Sequence, residues 1–155
     1  MRQTTLCLLI KEDKILLAMK KRGFGAGRWN GTGGKFNPEK DKNILDAAVR
    51  ETKEEIGVDV VNLEKFGVFH FYFPFNPEWD CDVHLFLAKE WQGVPAESEE
   101  MASKWFGFHE IPYNEMWDSD KFWLPHILQG KKLEADFIFK KGDIIEKHKI
   151  RMLKG

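Results

Sequence analysis

Arg50-Glu51-Thr52-Lys53-Glu54-Glu55-Ile56-Gly57 is the stretch that decides how the rest of the chain is read. It has the pattern of a helix ending. Asn43 stands where an N-cap belongs, Asp46 follows three residues later, and Gly57 supplies the left-handed stop. Between them Leu45, Ala48, Val49, Thr52 and Ile56 recur at helical spacing, which predicts the buried face. Glu51, Glu54 and Glu55 stand at i, i+3 and i+4, so they share one stripe, with Glu55 at the edge of the core. Three like charges within a turn repel by a few tenths of a kcal/mol per pair. They also lie at the helix C-terminus, where the dipole disfavours anions. A hard divalent cation relieves both penalties. A solvated acidic face, partly neutralised by Arg50 and Lys53, stands beside that reading.

Upstream lies the glycine-rich run Arg-Gly-Phe-Gly-Ala-Gly-Arg-Trp-Asn-Gly-Thr-Gly-Gly-Lys, residues 22–35. Such a run is loop chemistry in which the backbone closely approaches something else. Gly33-Gly34-Lys35 just before the helix suits phosphate or metal contacts. Thr4–Ile10 and Lys14–Met19 are β-rich runs joined by the charged turn Lys11-Glu12-Asp13, a predicted hairpin. Phe66–Phe73 and Asp82–Ala88 alternate as half-buried strands, and Lys104–His109 reads as another. Asp118 is the expected cap of a second helix reaching about Gln129, with Pro125 kinking or splitting it. Leu133–Phe139 and Ile144–Met152 flank Lys141-Gly142-Asp143, a second hairpin signal. The resulting fold class is mixed α/β (α+β), a single domain with helices packed on a sheet.

Composition narrows the function. The 155 residues carry 24 Lys plus Arg against 25 Asp plus Glu, a net charge of −1. That excludes a generally basic surface for nucleic acid. The basic stretch Lys147–Lys154 reads as a solvated last strand. Aromatic residues make up 14% of the chain, which suits a flat ligand or an aromatic core. The longest apolar runs have five residues, far short of the roughly 20 of a membrane helix, and no signal peptide is legible. Cys7 and Cys81 lack metal-site spacing and read as reduced thiols of a cytoplasmic protein. The five histidines show no metal spacing either and read as surface or strand residues.

Gly34 through Val58 resembles the signature box of the Nudix hydrolases: Gly, five residues, Glu, seven residues, then Arg-Glu-aliphatic-x-Glu-Glu-x-Gly-aliphatic. The flanking blocks, residues 19–31, 91–101, 111–117 and 128–132, are similar to the MutT-like group that acts on oxidised purine nucleoside triphosphates. The similarity runs from about Thr5 to Phe139. It implies the Nudix fold, a mixed β-sheet core sandwiched by helices. It implies a monomeric enzyme that uses Mg²⁺, or Mn²⁺, to hydrolyse a small purine nucleotide to monophosphate and pyrophosphate. Glu51, Glu54 and Glu55 would be the catalytic carboxylates and, with the Gly33 carbonyl and Glu100, the metal ligands. Arg50 would orient Glu54. Phe24 and Trp117 would sandwich the purine, and Asn30 and Asp120 would read its edges. Thr5, Lys20, Thr32, Gly33, Gly34 and Lys35 match substrate-contacting positions, and Trp117-Asp118-Ser119-Asp120 is the base-reading segment.

The match departs from the family at identifiable places. Two extra residues separate Gly34 from Arg50, and Lys42 stands where the box has Glu, leaving Glu39 or Asp41 to take its part. Thr52 replaces an aliphatic residue, a small packing loss. Ser119 replaces the first of two adjacent acids. Other readings are a hydrolase of a methylated purine nucleotide, a dinucleotide or ADP-ribose, and a non-catalytic nucleotide sensor.

Overall fold

The computed structural model describes residues 1–23 and 25–154. The strands are β1 (Arg2–Lys11), β2 (Lys14–Lys20), β3 (Trp29–Asn30), β4 (Asp59–Val61), β5 (Glu64–Tyr72), β6 (Cys81–Ala88), β7 (Glu90–Gln92), β8 (Met101–Gly107), β9 (Lys132–Lys140) and β10 (Ile144–Leu153). The helices are α1 (Ile44–Ile56) and α2 (Asp120–Leu128). The main sheet has eight strands, ordered β10-β9-β5-β6-β1-β2-β3, with β8 also paired to β2. The β1–β6 and β5–β9 pairs are parallel and the other pairs are antiparallel. A separate β4–β7 ribbon completes the set.

The sheet is sandwiched. Along β1, Leu6 and Leu8 join one core cluster, while Cys7 and Leu9 join the other. Both faces of this central strand are covered, which is why its sequence is a continuous apolar run. The outer strand β9 alternates buried with half-buried residues. Helix α2 seals the first face with Trp123, Leu124 and Ile127, and Trp123 packs 4.6 Å from Phe69, centroid to centroid. Burying side chains of this size contributes about 1.5–3 kcal/mol each. Helix α1 covers the Cys7–Leu9 face through Ile56 and the half-buried Val49.

Helix α1 begins and ends as its sequence predicts. The Asp46 N–H donates to the Asn43 side chain at 2.9 Å, and Gly57 takes φ 77°. Its buried face differs in detail. Ala47, Ala48, Thr52 and Ile56 are buried, whereas Leu45 is 38% exposed. The small alanines let the helix sit close to the sheet, so the larger Leu45 is left at its rim. Thr52 is not a packing defect. Its hydroxyl donates to the Ala48 carbonyl at 2.8 Å and pairs with the Thr32 hydroxyl at 2.7 Å.

Helix α2 starts one residue later than expected, after Ser119, and passes through Pro125 unsplit. Asp118 does not cap it. Its Oδ2 accepts from the Ile145 backbone N–H at 2.9 Å, and its other oxygen pairs with Lys121 at 2.9 Å. The strand expected at 104–109 is shifted toward the N-terminus, as β8. Both cysteines are free. No helix of the described residues is long and apolar enough to cross a membrane.

The sheet opens where the site lies. β1 and β2 pair only near their turn, from Lys11↔Lys14 to Leu9↔Leu16. Beyond that they separate, and the second half of the glycine-rich run fills the gap. Trp29 and Asn30 pair with Met19 and Ala18, while Thr32 and Lys35 bridge to Cys7 and Thr4.

Candidate active site

Two adjoining cavities occupy this opening. One, of about 250 Å³, has walls that include Thr5, Asn30, Phe71, Phe73, Trp117, Asp120, Trp123 and Phe139. The other, of about 440 Å³, is lined by Lys20, Arg22, Glu51, Glu54, Glu55, Ser98, Glu100 and Met101. Lys20, Glu55 and Met101 line both. One cavity is therefore aromatic with a buried acid, and the other is ringed by carboxylates and cations.

Close backbone approach builds the wall between them. A Cβ on Gly33 would lie 1.8 Å from the Thr5 carbonyl oxygen, and one on Gly34 would lie 2.4 Å from the Glu51 carboxyl carbon. Only glycine fits at position 33, against backbone, whereas a side chain at position 34 would displace the Glu51 carboxylate. The Thr5 N–H donates to the Gly34 carbonyl at 2.9 Å, and the Gly33 N–H donates to Glu55 Oε2 at 3.4 Å. Below this wall Thr32 is buried, its hydroxyl paired with that of Thr52 rather than lining either cavity. Lys35 lies outside both linings, although its carbonyl accepts from Arg50 Nη2 at 3.2 Å.

Arg50 organises the carboxylates, and its nearest partner comes from the longer loop. Nε and Nη2 donate to the two oxygens of Asp41 at 2.8 and 2.9 Å. Nη1 donates to Glu51 at 2.9 Å and to Glu54 at 3.3 Å. Asp41 is buried, and the bonds from Arg50 hold its carboxyl below the ordinary aspartate value. Lys42 and Glu39 are exposed. Of the acids in the lengthened loop it is thus Asp41, one residue before Lys42, that reaches Arg50.

Glu55 is the most buried of the stripe. Burial, reinforced by the charge of Glu51, pushes its carboxyl up to about 8. Glu54 is half exposed. Across the cavity Glu100 pairs with Arg22 at 3.3 Å, and Lys21 pairs with Glu97 at 3.0 Å. Among the described residues no three acidic, His or Cys side chains converge tightly enough to cage an ion as they stand, because Arg50 draws Glu51 and Glu54 toward itself. The donors are hard oxygens, and a carboxylate desolvated beside a like charge is stabilised by a cation. The donor set thus fits a divalent ion.

In the aromatic cavity Asp120 is buried. Oδ1 accepts from the Trp123 indole N–H at 3.1 Å and from the Ser119 hydroxyl at 3.3 Å. Oδ2, equally buried, has no hydrogen-bond partner among the described residues. Desolvation pushes this carboxyl up to about 7. An unpaired buried carboxylate oxygen costs roughly 1–3 kcal/mol or more, so it marks a place for a donor. Ser119 is buried beside it, and Asn30 Oδ1 accepts from the Gly31 N–H at 2.9 Å. Phe24 lies outside the described residues.

The sequence did not single out Arg22, Arg28, Phe71, Phe73, Trp123 or Phe139 as site residues; Trp79, read only as part of a loop (residues 74–80) near a pocket rim, does line the aromatic cavity. Phe71 and Phe73 end an alternating strand, which was a usable signal. Phe139 comes from the distant β9, where nothing local points to a cavity.

Residues 1–127 match the NUDIX domain family. The chain is 45% identical over 147 residues to the oxidized purine nucleoside triphosphate hydrolase of Mus musculus, covering 95% of this chain and 92% of that one. A Danio rerio protein of the same name is 44% identical over 146 residues, covering 94% and 92%. Among solved structures, the MutT protein from Bacillus halodurans shares the fold, with a TM-score of 0.82, 24% identity and 97% of each chain covered. With a family match over most of its length, and a carboxylate helix, Arg50 clamp and glycine wall in their expected order, this chain belongs to the Nudix family.

Proposed function

We propose that the chain hydrolyses an oxidised purine nucleoside triphosphate, 8-oxo-dGTP foremost, to the monophosphate and pyrophosphate with Mg²⁺, and so clears it from the nucleotide pool. The observation that carries this reading is the buried Asp120 with one unpartnered oxygen, set in an aromatic cavity that opens onto the carboxylate cavity. An ionised Asp120 accepts from the N1–H and exocyclic amine of guanine. Oxidation at C8 turns N7 from acceptor to donor, and a site matched to such a difference discriminates strongly. The names of the mouse and fish relatives support the same substrate class.

Phosphoryl substitution is catalysed mainly by positioning and by neutralising developing charge. Divalent-metal use is general in this family. Here Glu51, Glu54, Glu55, the Gly33 carbonyl and Glu100 would hold the metal, which supplies charge neutralisation and lowers the pKa of water when bound. Arg50 fixes Glu51 and Glu54 from behind. Glu54, the most exposed of the three, would take the water's proton, with Glu100 the alternative base. Lys20, shared by both cavities, neutralises phosphate between base and carboxylates.

The test is a panel of initial rates with Mg²⁺ on 8-oxo-dGTP, 2-hydroxy-dATP, a methylated dGTP and the normal dNTPs. The expected preference for 8-oxo-dGTP over dGTP is about 100-fold, roughly 2.7 kcal/mol of transition-state discrimination. A flat profile overturns the assignment and directs attention to dinucleotides and ADP-ribose.

A further inference from the structure

Three segments distant in sequence meet at the mouth of the aromatic cavity. The Arg28 guanidinium lies 4.2 Å from the Trp117 ring centroid. Its Nη2 donates to Asp143 Oδ2 at 2.9 Å, across 115 residues of sequence. Asp143 sits in the turn between β9 and β10, beyond the region matched to the family. Both partners are about two-thirds buried. A second tie holds the same hairpin, through the Ile145 N–H and Asp118.

The two ties differ in kind. Asp118 binds backbone and fixes where the hairpin lies. Asp143 binds a side chain and fixes where Arg28 lies. Arg28 follows Gly25 and Gly27, both in left-handed conformation with φ 82° and 83°, and its N–H donates to the Gly25 carbonyl at 3.3 Å, so the turn fixes its backbone while Asp143 fixes its guanidinium. A guanidinium over an indole gains about 0.5–2 kcal/mol, which holds the ring in one orientation.

We propose that Asp143 is a positioning residue of the base cavity: its ion pair holds Arg28 against Trp117 and thereby sets the aromatic wall on which the base stacks. This rests on the reading of the cavity as a purine site. Specificity on this view draws on the C-terminal hairpin as well as on residues 117–120.

The test is steady-state kinetics on 8-oxo-dGTP with Asp143→Asn, Arg28→Gln and the double variant, beside wild type. Asparagine tolerates the φ of 59° at position 143, so the turn is retained. Arg28→Gln, on a separate loop, serves if the first variant fails to fold. Each single variant is expected to raise KM about fivefold with kcat unchanged, and the double variant to be no worse than the worse single one, because both remove one device. A merely structural tie lowers thermal stability without moving KM. Unchanged KM in both variants, additive losses, or a fall in kcat alone overturns the proposal while a purine-selective wild type preserves the substrate reading. A wild type that hydrolyses no purine nucleotide overturns both.

Discussion

Replacing Asp41 by asparagine asks whether the lengthened loop has moved the acid that clamps Arg50. Asp41 accepts three hydrogen bonds: from Arg50 Nε at 2.8 Å, from Arg50 Nη2 at 2.9 Å and from the Asn37 N–H at 2.9 Å. Asparagine keeps one acceptor oxygen and turns an NH₂ group toward donors, so at least one guanidinium bond is lost along with the charge. A hydrogen bond to a charged group contributes about 1.5–3 kcal/mol. Removing one partner of a buried pair costs about 3–5 kcal/mol. Arg50 keeps Glu51 at 2.9 Å, which places the cost at the lower end, about 3 kcal/mol. For a chain of this size that lowers Tm by about 5–10 °C. Urea unfolding at neutral pH measures the loss. Lys42→Glu, at the formal box position but exposed, should stay within about 0.5 kcal/mol of wild type. The pH dependence supplies a second check. The Asp41 carboxyl is held below its ordinary 3.8, so its stabilisation is present above that value and is lost as pH falls through the folded-state value. The gap between wild type and Asp41→Asn should therefore close in acid. An Asp41→Asn variant as stable as wild type at neutral pH, or a stability change with Lys42→Glu, refutes the relocation of the clamp.

Glu54→Gln should reduce hydrolysis by about 10²-fold or more while leaving Tm within a degree or so, because the side chain is half exposed and its removal relieves like-charge repulsion. Near-normal turnover in that variant would remove Glu54 from the chemistry. Asp120→Asn should raise KM for 8-oxo-dGTP more than for dGTP, and an equal loss on both would show that Asp120 does not read the base. His70 lies between Asp82 at 2.6 Å and Glu134 at 2.7 Å, each facing a ring nitrogen, so the bridge is complete only in the imidazolium form. Its pKa is raised by these hydrogen bonds against the desolvation that opposes them. The stabilisation is thus full below the ordinary histidine value and is lost as pH rises through the folded-state value, and His70→Gln should flatten that part of the Tm–pH curve. A His70→Gln curve parallel to wild type would show that the bridge adds nothing.

The parts of the molecule legible in the sequence are those in which neighbouring residues decide the structure. The caps of α1 are an example, because Asn43 and Gly57 act on backbone within one turn. The apolar run of β1 and the alternation of β5 and β6 read correctly because strand periodicity is local. β3 and β4, two and three residues long, have no periodicity to detect. Asp118 was misread because an acid before a helix has the same local signature whether it caps that helix or a distant hairpin. Thr52 looked like a flaw because its partner Thr32 is 20 residues away. Of the site, the carboxylate stripe was visible as a pattern on one helix. Arg28, Trp123 and Phe139 were not, because their meeting is a product of sheet order.

The placement of the two cavities gives recognition a route to the chemistry. They share Lys20, Glu55 and Met101, so a ligand seated in one is held at a fixed reach from the other. In the wall between them the Gly33 backbone packs directly on that of Thr5, and the Thr5 N–H holds the Gly34 carbonyl at 2.9 Å, so it has little room to yield there. A misplacement of about 1 Å at the reacting centre can cost roughly 10²-fold in rate. On the proposed function, a purine that fails to satisfy Asp120 therefore loses twice. It binds less tightly, and what binds carries its phosphates out of register with Glu51, Glu54 and Glu55. The discrimination should then divide between KM and kcat for the wrong base, whereas Asp120→Asn with the right base should affect chiefly KM. A wild-type enzyme whose preference lies wholly in KM would mean that the wall is softer than its packing implies.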